Sequence, residues 1–401
     1  MASSSYRRYL LALSVSVPTA IIMFAAVKYD LFTSLESPRT RVSPTLEFVI
    51  IFARHGNRAP YRDFPTYPYP LSDTNTWPYG RLQLSRHGRS QMYKLGAKFR
   101  LLYNGFLSQN YKKDELKAQT TLTDRTMMSA QLFLAGLYPP QGYQQWNGHI
   151  LWQPVPVFPT YLDNIKLTAH PELCPVFHKD RIKAEADLGR EYGSDAAAIM
   201  KTVEPYTGEK LDYEDVLAVR TSIYLLWDTL NCAESEGLPL PAWTKKVYRQ
   251  PLENFMLKVF LSVGMATDEM ISLLTGELFQ EVIKLMQDKV EGELRPDRRL
   301  YFYSGHDYTI LGLLGVLGLC QGSAPLIVDS GSALIFELHR HPQSHLPYVQ
   351  VLYIDGLTPD LEPKEVNIPG CDFPCGFDIL KKITEKYYNI TNWEEKCTLS
   401  K

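Results

Sequence analysis

Residues Leu46–Phe52 form an almost unbroken apolar run, and the seven residues Arg54-His55-Gly56-Asn57-Arg58-Ala59-Pro60 follow directly. A run of that length and composition suits a strand buried on both faces of a parallel sheet, which requires helices on either side. In open α/β sheets, ligands gather at the carboxyl ends of such strands, where this segment lies. Two guanidiniums flank one imidazole. Each guanidinium offers a fixed fork of donors for anionic oxygens, and their joint field disfavours an imidazolium, leaving His55 neutral and nucleophilic. Gly56 allows the backbone to turn close to an anion.

The rest of the chain supports an α/β reading. Helix-period apolar residues occupy Ser85–Tyr103 and Met127–Tyr138, the latter ended by Pro139-Pro140. Leu151–Val157 and Leu300–Tyr303 read as further strands, and Ala333–Leu338 with Tyr348–Ile354 as an antiparallel pair. Tyr213–Leu230 and Asn254–Val290 carry helical periodicity, so 165–290 is expected to be a mainly helical cap inserted between 45–164 and 291–401, the two parts of the catalytic domain. The formal net charge is −2, which excludes a protein whose affinity rests on contacts along a nucleic-acid backbone. Any phosphate chemistry must come from a local basic cluster.

The first residues differ in kind. Arg7 and Arg8 precede an apolar run, Tyr9–Val27, that is nearly long enough to cross a bilayer. Cleavage after Ala26, Ala25 or Ala20 places Phe24, Met23 or Pro18 where a signal peptidase prefers a small residue, so an uncleaved anchor over residues 1–30 is favoured over a signal peptide. The Arg pair keeps the N-terminus cytosolic and sends the remainder to the lumenal or extracellular side, with 31–44 as linker. Six cysteines, Cys174, Cys232, Cys320, Cys371, Cys375 and Cys397, fit an oxidising destination in the secretory pathway. Sequence alone leaves fifteen pairings open. Asn389-Ile390-Thr391 is a glycosylation sequon.

The segment Arg54–Pro60 resembles the R-H-G-x-R-x-P signature of the histidine acid phosphatases, the prostatic and lysosomal acid phosphatase-like branch of the histidine phosphatase superfamily. Ser304-Gly305-His306-Asp307 resembles the family's H-D motif, again after an apolar strand and before a helix. Asp124-Arg125-Thr126 is similar to its D-R-T segment. The resemblance implies a phosphoglycerate-mutase-like, mostly parallel sheet flanked by helices, with a smaller helical lobe. It implies His55 as nucleophile, Asp307 as proton donor, and Arg54, Arg58, Arg125 and protonated His306 as phosphate ligands, with neither metal nor cofactor. It also implies the pairs Cys174–Cys397, Cys232–Cys320 and Cys371–Cys375. The expected reaction is hydrolysis of a small-molecule or phosphopeptide phosphomonoester. A mutase is disfavoured because those relatives place a glutamate acid elsewhere; a phytase, a lysophosphatidate phosphatase and an inactive binding protein stay open, as does a homodimer. Asn57 and Ser85 depart from the residues usual in the family, an acidic residue and a threonine.

Two further patterns compete for attention. Arg86-His87-Gly88-Arg89 repeats the R-H-G letters but opens a helix and lacks the proline, so it is read as structural. His339, His341 and His345 are read as members of a solvated turn and not as metal ligands. Tyr61, Tyr67 and Tyr69 stand close enough to the nucleophile segment to border a substrate.

Overall fold

The structure, a computed structural model, describes residues 43–168, 170–320 and 327–399. The apolar N-terminal run and its cleavage sites lie outside these residues. Among the described residues, no helix is long and apolar enough to cross a membrane.

One mixed sheet organises the chain. Its strands are β1 (Leu46–Arg54), β2 (Leu116–Thr120), β3 (Val157–Pro159), β4 (Leu300–Gly305), β5 (Ala333–Arg340), β6 (Pro347–Ile354), β7 (Lys364–Glu365) and β8 (Cys375–Gly376), in the order β3-β2-β4-β1-β5-β6-β7 with β8 also on β6. The neighbours β3, β2, β4 and β1 run parallel, while β5 is antiparallel to both β1 and β6. Both faces of β1 are covered, which is why it reads as continuous apolar sequence. Phe48, Ile50 and Phe52 point into one core and Val49, Ile51 and Ala53 into the other.

Helices α1 (Arg86–Leu102) and α2 (Asp124–Leu137) cover the second face, where Phe133 stacks on Phe302 of β4 at a centroid distance of 4.0 Å. The chain then leaves β3 for α3 (Pro175–Thr207), α4 (Val216–Ser235), α5 (Leu252–Gly264) and α6 (Asp268–Val290) before returning as β4. Helices α7 (Asp307–Val316), α8 (Phe377–Tyr388) and α9 (Trp393–Cys397) complete the described α-helices.

Three differences from the sequence expectations have local causes. Of the expected strand at 151–157 only Val157 joins the sheet, in a short strand that runs on to Pro159, because Pro154 and Pro156 lack the N–H a ladder needs. The helical stretch at 254–290 is two helices, since Thr267 caps a new start by accepting from the Met270 N–H at 3.1 Å. His339 is not in a turn: it is a buried strand residue stacked on Tyr348, 3.0 Å from Thr45 Oγ1 and 3.3 Å from Glu337.

Cys174 is bonded to Cys397, and Cys371 to Cys375. The pair Cys232–Cys320 is not formed; both are buried free thiols. Cys232 sits on α4 beneath Arg58, packed with Ala59 and Trp77, whereas Cys320 follows α7 and packs on Met265 and the Leu311 carbonyl. Burial raises each thiol to about 12, so both are inert at ordinary pH.

Candidate active site

The register of β1 against β4 sets Arg54 opposite Gly305, so the two chemistry-bearing segments leave adjacent parallel strands at the same level. The His55 N–H donates to the Gly305 carbonyl at 3.0 Å and locks that alignment. On the other side of β4, Thr120 of β2 pairs with Ser304, and the chain from Thr121 enters α2, which carries Arg125. Three neighbouring strand ends thus deliver His55, His306-Asp307 and Arg125 to one place.

His55 is held in a defined tautomer. Its Nδ1 lies 2.8 Å from the Gly56 carbonyl, which can only accept, so Nδ1 carries the proton and the Nε2 lone pair is free. Burial, then Arg54, Arg125, His306 and Arg58, hold its pKa well below the ordinary value. These effects all favour the neutral imidazole. The His55 and His306 rings face each other edge to face, 5.5 Å apart.

His306 departs from expectation. Arg125 Nη2 donates toward its Nδ1 at 3.4 Å, so the proton sits on Nε2, which donates to Thr121 Oγ1 at 2.9 Å. Burial, Arg125, Arg54 and Arg58 outweigh the opposing pull of Asp307 and bring its pKa to about 3. In the free site His306 is neutral, not protonated.

Asp307 opens α7, where the Tyr308 N–H donates to its Oδ1 at 2.8 Å, and its Oδ2 lies 3.1 Å from Arg54 Nη2. Burial pushes its pKa up, but Arg54, His306, the Tyr308 N–H and Arg58 together pull it below the ordinary value. It is a carboxylate in the free site except in acid.

The arginines are placed by buried partners. Arg54 Nη1 donates to the Val328 carbonyl at 2.5 Å, leaving Nη2 toward Asp307. Arg58 makes a two-pronged pair with Asp228 of α4, at 2.6 and 3.2 Å, and lies 4.6 Å over the Tyr61 ring. Among the described residues, the Nε atoms of Arg54, Arg58 and Arg125 are all buried without an acceptor. Three such unsatisfied donors around one imidazole suit an anion with several oxygens.

Several supporting residues escape sequence reading. Asp228 also accepts from the Tyr61 N–H at 2.8 Å. Its signal was an acid inside an apolar helical run, because a buried carboxylate needs a partner. Two helical steps of four along α4 and past its end, Asn57 Nδ2 donates to the Cys232 carbonyl and to Glu236. Gln91 accepts from the Asn57 N–H and donates to the Ser330 and Gly356 carbonyls, tying three loops together. Thr309 accepts from the His306 N–H and donates to Asp163, whose carboxyl burial raises to about 6. Of the three tyrosines, Tyr61 borders the site; Tyr67 is buried in the core and donates to the Thr229 carbonyl, while Tyr69 packs against the core from its edge and donates to the Pro239 carbonyl.

The second R-H-G has a structural role. Ser85 caps α1 by accepting from the Gly88 N–H at 2.9 Å, and His87 is exposed. A Cβ on Gly88 would come within 2.0 Å of the Asn57 carbonyl, and one on Gly56 within 2.3 Å of the Gly88 carbonyl. The two glycines let the helix and the segment after β1 touch backbone to backbone.

The family model described as histidine phosphatase superfamily (branch 2) matches residues 45–354. Venom acid phosphatase Acph-1 of Apis mellifera is 32% identical over 83% of each chain. Prostatic acid phosphatase of Mus musculus is 30% identical over 88% of this chain and 89% of its own. Lysosomal acid phosphatase of Homo sapiens is 29% identical over 90% and 82%. Among solved structures, the apo phytase of Hafnia alvei superposes with a TM-score of 0.62 at 19% identity, covering 90% of this chain and 100% of that one, a likeness of fold. The chain belongs to branch 2 of the histidine phosphatase superfamily.

Proposed function

We propose the following division of labour in an enzyme that hydrolyses phosphomonoesters. The phosphoryl oxygens bind among Arg54, Arg58, Arg125 and His306, whose charge and donors match the charge spread over the equatorial oxygens in transfer. His55 Nε2 attacks phosphorus in line as the ester P–O bond breaks, and Asp307 gives its proton to the departing alkoxide. Water then attacks phosphorus, the P–N bond breaks, and Asp307 takes the proton back. The observation that carries this reading is the free Nε2 of a neutral His55, whose ring lies 5.5 Å from that of His306, the residue before Asp307, at the ends of strands in register.

The arginine field serves one residue and opposes another. It keeps His55 unprotonated, but it also favours Asp307 as a carboxylate. A bound phosphoryl dianion offsets that field, so substrate binding draws protons onto Asp307 and onto His306 Nδ1, which then turns from acceptor into phosphate donor. Acid pH assists both steps. The test is hydrolysis of p-nitrophenyl phosphate between pH 4 and 8. Turnover that rises toward acid, is blocked by vanadate and is insensitive to chelator supports the reading; no turnover marks a binding protein.

We also propose a lumenal or extracellular site of action within the secretory pathway, supported by the two disulfides and by relatives named lysosomal and prostatic acid phosphatases. An N-terminal membrane tether, a glycan on Asn389 and a homodimer belong to the same proposal. Alkaline carbonate extraction, glycosidase digestion and sedimentation test them in turn.

A further inference from the structure

One face of α4 carries Arg220, Tyr224 and Asp228, each a single helical turn from the next. Asp228 holds Arg58 at the phosphate end of the site. Tyr224 sits one turn back, 5.8 Å from the Tyr61 ring and within the fields of Arg58 and Asp307. Arg220, eight residues from Asp228, therefore lies about 12 Å along the helix axis from the phosphate end, on the far side of Tyr224. There it joins Arg181 of α3: Arg181 Nε lies 2.9 Å and Arg220 Nη1 2.5 Å from the same oxygen of Glu185.

Two guanidiniums on one carboxylate leave one positive charge unmatched. All three side chains are mostly buried, with relative exposures of 17%, 19% and 15% for Arg181, Glu185 and Arg220, where such a charge is weakly screened. Arg220 Nη1 is itself buried without an aligned hydrogen bond. The cluster lies within electrostatic reach of Tyr308, the neighbour of the proton donor Asp307. Arg220 and Glu185 also face a cavity of about 340 Å³ beside α3, α4 and α5.

We infer that Arg220 and Arg181 form an anion subsite on the leaving-group side of the catalytic pair, for phosphomonoesters whose alcohol carries a second anionic group, a carboxylate or phosphate. The inference rests on the phosphatase reading above. A structural ion pair would need only one arginine for Glu185; the second supplies charge that a ligand can use.

The test compares kcat/KM on paired substrates: 4-carboxyphenyl phosphate against phenyl phosphate, and butane-1,4-diol bisphosphate against butyl phosphate. The wild-type ratio of anionic to neutral substrate is expected to fall about ten-fold in Arg220→Gln and in Arg181→Gln. Arg220→Lys should retain part of it. Glu185→Gln removes the neutralising carboxylate and should raise the ratio, a change that a merely structural role does not produce. A fall in only the carboxylate or only the phosphate pair identifies which anion the subsite takes. Ratios unchanged in all three charge-removing variants overturn the subsite; no hydrolysis of either neutral ester by the wild type overturns the phosphatase reading instead.

Discussion

Arg54 Nη2 lies 3.1 Å from Asp307 Oδ2, so the residue before His55 is ion-paired with the residue after His306. In the mechanism we propose, this pair links phosphate binding to protonation: while the guanidinium serves the carboxylate, Asp307 is held as an anion, and a phosphoryl oxygen that takes the guanidinium would release the carboxylate to accept a proton.

Replacing Arg54 with Gln removes the largest force opposing burial at Asp307. The pH–rate limb assigned to Asp307 should move upward, while kcat/KM falls by about 10²–10³ through loss of a transition-state donor. Initial-rate profiles between pH 3 and 8 check this. A limb that stays in place removes Arg54 from control of Asp307.

Ligand-free stability should decline in acid. His306 titrates at about 3 when folded, below the unfolded value of about 6.5, so its contribution is fully present above that value and is lost as pH falls toward 3. The depressed value at His55 acts in the same direction. Asp307, also depressed, adds stability above the ordinary carboxylate range that is lost only at lower pH. Melting temperature should therefore drop from pH 7 to pH 4, and inorganic phosphate should recover part of the loss. A flat profile contradicts the buried neutral histidines.

Asp228→Ala strands Arg58 in a buried setting. The expected cost is about 3–5 kcal/mol of stability, with KM rising more than kcat falls. Chemical denaturation and steady-state kinetics measure the two effects.

The two R-H-G segments predict opposite outcomes. His87→Ala alters an exposed residue and should leave activity within two-fold, whereas Gly88→Ala forces a Cβ into the Asn57 backbone and should reduce both stability and turnover by about ten-fold or more. Assays of the two variants side by side decide this.

How far the sequence reached follows from what each feature depends on. β1, β4, α1 and α2 were legible because both cores impose their period on the local sequence. The nearness of His55, Asp307 and Arg125 was legible only through motif resemblance, since register between β1, β4 and β2 is a long-range property. Protonation states were not legible: the direction at His306 depends on burial and then on Arg125 lying 3.4 Å away, and that at Asp307 on the balance between burial and Arg54. The failed pairing of Cys232 has the same origin, because its neighbours Arg58 and Asp228 come from its own helix and a distant loop.

The central claim is that His55 becomes phosphorylated. Denaturing quench of the enzyme during turnover of a ³²P-labelled monoester, followed by peptide mapping, tests it most directly. The account predicts an acid-labile, alkali-stable label on the peptide containing His55, absent in His55→Ala. A label on another residue, or undiminished turnover by His55→Ala, contradicts it.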